Sequence, residues 1–70
     1  MNGGAFMVVN GKKVDFEKDV TVSELLEKYK LDRKRVVVEV NMEIIDEKDY
    51  DTYVPDKEAM VELIAFVGGG

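Results

Sequence analysis

An Asn-Gly pair restricts the fold of this chain more than any other feature. Asn10-Gly11 separates an apolar, β-prone run, Ala5 to Val9, from the alternating polar and apolar run Lys12 to Phe16. Asn-Gly between two such runs is a strong signal for a two-residue hairpin turn, because both residues accept the positive φ angles that a type I′ turn requires. The sequence therefore predicts an antiparallel β-hairpin here.

A helix is predicted to follow the hairpin. Glu24 comes three residues after Thr21, which is the spacing of a capping box, where each side chain satisfies a free backbone N–H of the other residue. The apolar residues that follow recur at i, i+3, i+4 and i+7, namely Val22, Leu25, Leu26 and Tyr29. This spacing predicts a helix that packs through one face only.

Two more β-prone runs complete the pattern. Val36 to Asn41 is rich in β-branched residues, and Met60 to Val67 alternates so that Val61, Leu63, Ala65 and Val67 share one face. Residues 41–55 between them predict only short strands or a single helical turn. The order of elements favours an α+β fold of the β-grasp type, a mixed sheet with one main helix packed on one face. We expect residues 1–67 to form this domain and residues 68–70 a flexible tail.

The composition argues against an enzyme and in favour of a carrier or binding protein. The 70-residue chain has no cysteine, histidine or tryptophan. It therefore lacks thiolate and imidazole metal ligands and the commonest general base. A single core in so short a chain leaves few apolar side chains to line a substrate pocket. We expect no enzymatic activity and no metal or cofactor held by this chain.

Net charge and cysteine usage indicate the cellular setting. Ten Lys and Arg residues against fifteen Asp and Glu give a formal charge of −5, which opposes binding to nucleic acid and suits a partner with a basic surface. The absence of cysteine favours a reducing compartment. No signal peptide and no run of membrane-spanning length is visible. These features predict a cytoplasmic protein that binds neither nucleic acid nor membranes.

Two local clusters of charge are interpreted as solvated loops. One is the basic run Arg33-Lys34-Arg35, and the other is the acidic group Asp46, Glu47, Asp49 and Asp51. The acidic group lacks the central glycine and the terminal glutamate of a calcium-binding loop. We expect no metal site at these carboxylates.

An apolar cluster is predicted on the sheet face that the helix leaves open. In the predicted register its members are Ile64, Phe66, Val37 and Val8. An apolar cluster on the open face of a small domain favours a docking surface for a partner protein. Two alternatives stay open: residues 41–55 cover part of the cluster, or the register differs from the predicted one.

Three glycines, Gly68-Gly69-Gly70, follow the last predicted strand and end the sequence. A tail without side chains is suited to entering a narrow channel in another protein. The same residues are also compatible with a frayed terminus or a cloning remnant. The glycines alone do not separate these interpretations.

Five short stretches, taken together, resemble the ThiS family of sulfur carriers of thiamin biosynthesis, which are ubiquitin-like β-grasp proteins ending in Gly-Gly. The resemblance covers nearly the whole chain from Val9 onward. The stretches are Val9-Asn10-Gly11-Lys12, Thr21-Val22-Ser23-Glu24-Leu25-Leu26, Val38-Glu39-Val40-Asn41, Glu43-Ile44-Ile45 and Phe66-Val67-Gly68-Gly69-Gly70.

The resemblance implies a role for the end of the chain. The carboxylate of Gly70, carried on Gly68 and Gly69, would be adenylated by a ThiF-like enzyme that binds Mg-ATP. A persulfide from a cysteine desulfurase system would then convert it to a thiocarboxylate, and a ThiG-like thiazole synthase would receive the sulfur. In such a system the carrier itself supplies no catalytic group and binds no cofactor.

Two other functions remain open on the sequence. A MoaD-like sulfur carrier for molybdopterin synthesis shares the fold and the Gly-Gly end. A β-grasp interaction module would use the same fold for docking without any chemistry at its tail. A one-residue extension after Gly70 separates a carrier from a docking module, because it blocks activation and leaves docking intact.

Overall fold

The computed structural model describes residues 6–16 and 18–66, and these form a five-stranded mixed sheet with one α-helix. The strands lie in the order β2-β1-β5-β3-β4. Strands β1 and β5 are parallel, and the other neighbouring strands are antiparallel. The elements are β1 (Met7–Val9), β2 (Lys12–Val14), α1 (Val22–Lys28), β3 (Val36–Val40), β4 (Glu43–Ile45) and β5 (Met60–Ala65), with 3-10 turns at Arg33–Arg35 and Glu47–Asp49. The predicted β-grasp architecture is confirmed.

The hairpin turn forms as the Asn-Gly pair predicts. Asn10 has φ 53° and Gly11 has φ 83°, and the strands pair with Val9 opposite Lys12. Asn10 also reaches beyond its own hairpin, because its Oδ1 accepts a hydrogen bond from the Leu63 N–H at 2.8 Å. The turn residue therefore holds β5 in register as well as reversing the chain.

Helix α1 has only seven residues and is held at both ends by local hydrogen bonds. Thr21 Oγ1 accepts from the Glu24 N–H at 3.1 Å, and Glu24 Oε1 accepts from the Thr21 N–H at 2.8 Å, so the capping box is complete. At the other end Lys30 adopts φ 58°, and the Leu31 N–H donates to the Leu26 carbonyl at 2.9 Å. This is a Schellman-type ending with lysine in the position usually taken by glycine.

The core lies between α1 and the inner face of the sheet. Alternate residues of β3 and β5 point inward, and among the described residues no polar or charged residue is buried. The side chains with least exposure are Leu25, Val22, Val38 and Val61. Burial of one strand face and one helix face accounts for the alternating and i, i+3, i+4 patterns of the sequence.

Several element boundaries differ from the sequence predictions. Strand β1 begins at Met7 and β5 ends at Ala65, which is exposed although its alternation predicted the inner face. The alternation of exposed and buried residues along β5 thus ends one residue before the strand does, although Val36, the partner of Ala65 on β3, is 6% exposed. Residues 41–55 contain both a short strand, β4, and a 3-10 turn. Predictions for residues 1–5, Glu17 and residues 67–70 lie outside the described residues.

Within the part of the chain that the structure describes, no helix has the length and apolar character needed to cross a membrane. The cytoplasmic location stays a prediction.

Candidate functional site

The sheet face opposite the helix, here called the outer face, carries a row of exposed side chains along the central strand β5. Met60, Glu62 and Ile64 point to this side, while Val61 and Leu63 point to the core. Phe66 follows the strand with the same alternation. The outer face therefore presents apolar side chains along β5, interrupted by one carboxylate.

The structure places all four predicted docking residues on the outer face and leaves two of them, Ile64 and Phe66, exposed. Ile64 lies directly opposite Val37 on β3, and Ile64 and Phe66 are each 47% exposed. Val37 and Val8 lie on the same face but are half-buried. Residues 41–55 thus leave Ile64 and Phe66 accessible, and Val8, on β1, pairs with Met60 at the other end of β5. Their role in docking stays a prediction.

Two exposed residues of the outer face were not included in the predicted docking cluster. Ile44 on β4 is 68% exposed and lies opposite Glu39, and Met60 is 64% exposed at the start of β5. The adjacent pair Ile44-Ile45 carried the signal, because one isoleucine of a strand pair must point away from the core. For Met60 the signal was the alternation of β5, which places it on the side opposite to Val61 and Leu63.

The path of β5 toward the glycines is fixed by hydrogen bonds on both sides. Asn41 Oδ1 accepts from the Met60 N–H at 2.9 Å, which mirrors the bond from Leu63 to Asn10. At the other end the Phe66 N–H donates to the Arg35 carbonyl at 2.9 Å. The predicted reactive residue Gly70 and its stem, Gly68 and Gly69, lie outside the described residues.

The two charged loops contact each other, which the sequence did not predict. Arg33 Nε contacts Glu47 Oε2 at 3.1 Å and Arg33 Nη1 contacts Asp51 Oδ1 at 2.9 Å, and the Ser23 hydroxyl also donates to Asp51. The guanidinium carbon lies 5.5 Å from the centre of the Tyr50 ring, which is 3% exposed. The exposure of these side chains agrees with the interpretation of both loops as solvated. The structure adds that Arg33 joins the two loops and, through Asp51 and Ser23, ties them to the start of α1.

Electrostatics of this cluster follow from its contacts. Hydrogen bonds from the Ser23 hydroxyl and from Arg33 lower the pKa of Asp51. The bond to Asp51 raises the pKa of Arg33. Burial raises the pKa of Tyr50, and the nearby Glu47 acts in the same direction. All three groups keep their ordinary charge near neutral pH, so the cluster is suited to holding loops together rather than to acid–base chemistry.

Shallow hollows are found in the described part of the chain. Two open hollows have volumes of about 220 and 240 Å³. Sites for small molecules usually occupy roughly 300–1,000 Å³. Within residues 6–16 and 18–66, no group of three or more acidic side chains is placed to hold a metal ion. Both hollows are therefore smaller than the usual site for a small molecule.

Comparison with known proteins identifies the family. The sequence model of the ThiS family matches residues 4–70. The chain belongs to the ThiS family. Among curated proteins, it is 41% identical over 63 residues to the sulfur carrier protein ThiS of Bacillus subtilis, and the match covers 89% of this chain and 96% of that protein.

Solved structures agree with the family match. A crystal structure of the thiamine biosynthesis protein ThiS from Geobacter metallireducens superposes with a TM-score of 0.76 at 31% identity, covering 93% of this chain and 99% of the other. A solution structure of a thiamine biosynthesis protein from the same organism has a TM-score of 0.75 at 34% identity, with 93% and 87% coverage. The ThiS-type β-grasp fold is thereby confirmed.

A second curated relative is a much longer protein. The chain is 34% identical over 64 residues to a thiazole synthase of Paramagnetospirillum magneticum, and the match covers 91% of this chain and 20% of that protein. A ThiS-like segment is thus part of a thiazole synthase in that organism. Together these matches confirm the predicted function, a sulfur carrier of thiamin biosynthesis, and favour it over a MoaD-like carrier.

Proposed function

We propose that this ThiS-family chain carries sulfur as a thiocarboxylate on Gly70. The observation that supports this most directly is the family match, which continues through Gly68, Gly69 and Gly70 to residue 70. A chain end made of glycine alone fits the narrow approach to an enzyme's active site.

The proposed chemistry needs an activated carboxyl group. A carboxylate oxygen of Gly70 attacks the α-phosphate of Mg-ATP bound by the partner enzyme, and pyrophosphate leaves. The terminal sulfur of a persulfide then attacks the acyl carbon of the adenylate, and AMP leaves. A thiol cleaves the resulting acyl disulfide, which leaves the thiocarboxylate on Gly70 and a disulfide on the donor side.

The chain acts as a substrate-like carrier in this scheme and not as an enzyme. Its sequence offers no histidine or cysteine to serve as base or nucleophile. The hollows of about 220 and 240 Å³ are small for a nucleotide site, and the nucleotide is therefore assigned to the partner. No cofactor is assigned to the carrier itself.

Three partners follow from the chemistry. A ThiF-type enzyme supplies the adenylation, and a cysteine desulfurase system supplies the persulfide. A ThiG-type thiazole synthase takes up the sulfur. The thiazole synthase that contains a ThiS-like segment supports this last partner, since fusion in one chain keeps donor and acceptor together.

Binding affinity must come from the folded domain. Ordering glycines in a partner's channel costs about 1–2 kcal/mol per residue in backbone entropy. The outer face offers apolar area at Ile64 and at Phe66, the last described residue, each of which is 47% exposed. We assign the docking of the ThiF-type enzyme to this face.

The test is a sulfur-transfer reaction followed by intact mass measurement. The chain is incubated with a ThiF-type enzyme, Mg-ATP, a cysteine desulfurase, cysteine and a reducing thiol. The expected product shows replacement of one oxygen by sulfur at Gly70. A reaction without ATP is the control, because an exchange that needs no ATP does not proceed through an adenylate.

A variant extended by one alanine after Gly70 provides the matched comparison. Its folded domain is unchanged, so it should bind the ThiF-type enzyme as the wild type does and yield no thiocarboxylate. If the wild type shows no exchange with any ThiF-type enzyme tested, the proposed function is wrong. If both forms bind and neither reacts, the chain is an interaction module.

A further inference from the structure

Two glutamates face each other at the centre of the outer face. Glu39 on β3 and Glu62 on β5 are direct partners in the antiparallel pairing. Side chains in such positions have Cβ atoms about 4.5–5.5 Å apart, and like charges there destabilise a sheet. Glu62 is exposed and Glu39 is half-buried. This register places two like charges side by side, an arrangement that we expect to be unfavourable for the isolated fold.

Apolar side chains surround this pair. Met60 and Ile64 flank Glu62 along β5, and both are largely exposed, at 64% and 47%. On the other side Ile44, the partner of Glu39 on β4, is 68% exposed. The two carboxylates thus lie within an apolar surface. Its side chains offer them neither a hydrogen-bond donor nor a positive charge.

The described residues provide no cation for the pair. The salt bridges found between residues 6–16 and 18–66 join Arg33, Lys34 and Arg35 to other acidic residues. Arg35, which lies two residues before Val37, contacts Asp32 at 3.9 Å. The amino group of Lys13 on β2 lies 5.1 Å from the centre of the Phe6 ring. Like charges thus lie directly opposite each other on neighbouring strands, and no described cation neutralises them. An unfavourable local arrangement of this kind is typical of a functional position.

We infer that Glu39 and Glu62 receive a basic side chain of the adenylating enzyme, an arginine flanked by apolar residues. This inference rests on the proposed function and adds the chemistry by which the partner is recognised. A guanidinium presents several N–H donors in a rigid plane and is suited to bridging two carboxylates. The apolar ring of Met60, Ile64 and Ile44 would exclude water around that contact and strengthen it.

Charge and stability both agree with this occupant. A partner cation between Glu39 and Glu62 would attract both carboxylates. Docking would therefore relieve the repulsion between them that is present in the free carrier. The net charge of −5 favours a basic partner surface over an acidic one. A wholly apolar partner surface would leave both carboxylates desolvated and unpaired, which is costly.

The double variant Glu39→Gln with Glu62→Gln separates recognition from folding. Removing the repulsion should leave the urea midpoint of unfolding unchanged or raised. In an ATP–pyrophosphate exchange assay with a purified ThiF-type enzyme, the KM for the variant carrier should rise about tenfold at unchanged kcat. The KM of the wild type should increase with salt, and the dependence should be weaker for the variant.

Glu58→Gln is the matched control. Glu58 is exposed in the loop before β5, and its replacement changes the net charge without altering the outer face. A charge effect that is merely global would appear at Glu58 as well, in proportion to the charge removed. A specific contact would appear only in the double variant.

The outcomes distinguish this inference from the proposed function. If the wild type is adenylated and the double variant shows the same KM, the inference is overturned while the proposed function stands. If the double variant is less stable than the wild type, the pair serves the fold and the inference is again overturned. If the wild type is never adenylated by a ThiF-type enzyme, the proposed function fails and the inference fails with it.

Discussion

The two faces of the sheet are built from the same strands yet differ in what covers them. On β3, Val36, Val38 and Val40 are at most 6% exposed beneath the helix. On the neighbouring strand β5, the outward residues Met60 and Ile64 are 64% and 47% exposed. Because strand side chains alternate, one segment contributes to the core and to the surface at once. The difference teaches that alternate positions of the same strand serve different purposes in this domain. Inward positions stabilise the fold, and outward positions are free for recognition.

Charged side chains also differ between the helix side of the sheet and the outer face. Beside the helix layer, Arg33 is matched by Glu47 and Asp51 at 3.1 and 2.9 Å. On the outer face, Glu39 lies opposite Glu62 and no described cation pairs with either. Matched charges join elements of the fold, whereas the unmatched pair remains available to a partner. Three experiments test this contrast between the faces.

The largest effect is expected from truncating the inner face. Leu25 is 0% exposed at the centre of the core, so Leu25→Ala should reduce the free energy of unfolding by about 2–5 kcal/mol through lost burial and a residual cavity. Ile64→Ala, on the outer face, should cost about 1 kcal/mol or less. Urea unfolding followed by circular dichroism measures both.

The contrast between the faces fails if these two values are similar. A large loss for Ile64→Ala would mean that the outer face is a second core surface. A small loss for Leu25→Ala would mean that the helix contributes little to the domain. Either result removes the reason to treat the outer face as a recognition surface.

The second effect concerns docking, with little change in the fold. Phe66 is 47% exposed and stands two positions before Gly68 in the sequence. Phe66→Asp should therefore leave the urea midpoint almost unchanged and raise the KM for adenylation about tenfold. Val54→Asp is the control, since Val54 is 45% exposed and lies in the loop that contacts the start of α1. Normal activation kinetics of a folded Phe66→Asp variant would remove Phe66 from the docking surface.

Local chemistry explains which parts of the fold could be predicted from the sequence. The hairpin follows from Asn10-Gly11, and the helix start follows from Thr21 and Glu24, because in each case the deciding contacts lie within three residues. The family stretches, which cover nearly the whole chain from Val9 onward, correctly indicated the ThiS family, whose model matches residues 4–70. Local signals of this kind are independent of how distant segments meet.

Contacts between distant segments explain what was missed. Arg33 meets residues 14 and 18 positions further along the chain, so the basic and acidic loops looked unrelated. The pairing of Glu39 with Glu62 depends on the register of β3 and β5. No single stretch of sequence contains that register.

The smallest effect tests whether the matched charges contribute to stability. Hydrogen bonds from Ser23 and Arg33 lower the pKa of Asp51 in the folded state below the ordinary value of 3.8. Ionised Asp51 therefore stabilises the fold above the unfolded-state pKa, and this contribution is lost as the pH falls through the lower folded-state pKa. The urea midpoints of the wild type and Asp51→Asn should differ by a constant amount near neutral pH and converge in acid.

The exposure of the side chains determines how large an effect to expect in this last experiment and which variant serves as its control. Arg33 and Asp51 have side chains that are 36% and 67% exposed, so solvent and salt screen their contact and the difference should be small. Asp19→Asn provides the comparison, because Asp19 is exposed and lies outside the Arg33 cluster. If Asp51→Asn and Asp19→Asn give the same pH profile, the matched charges add nothing to stability. The contrast between the faces would then depend on apolar burial alone.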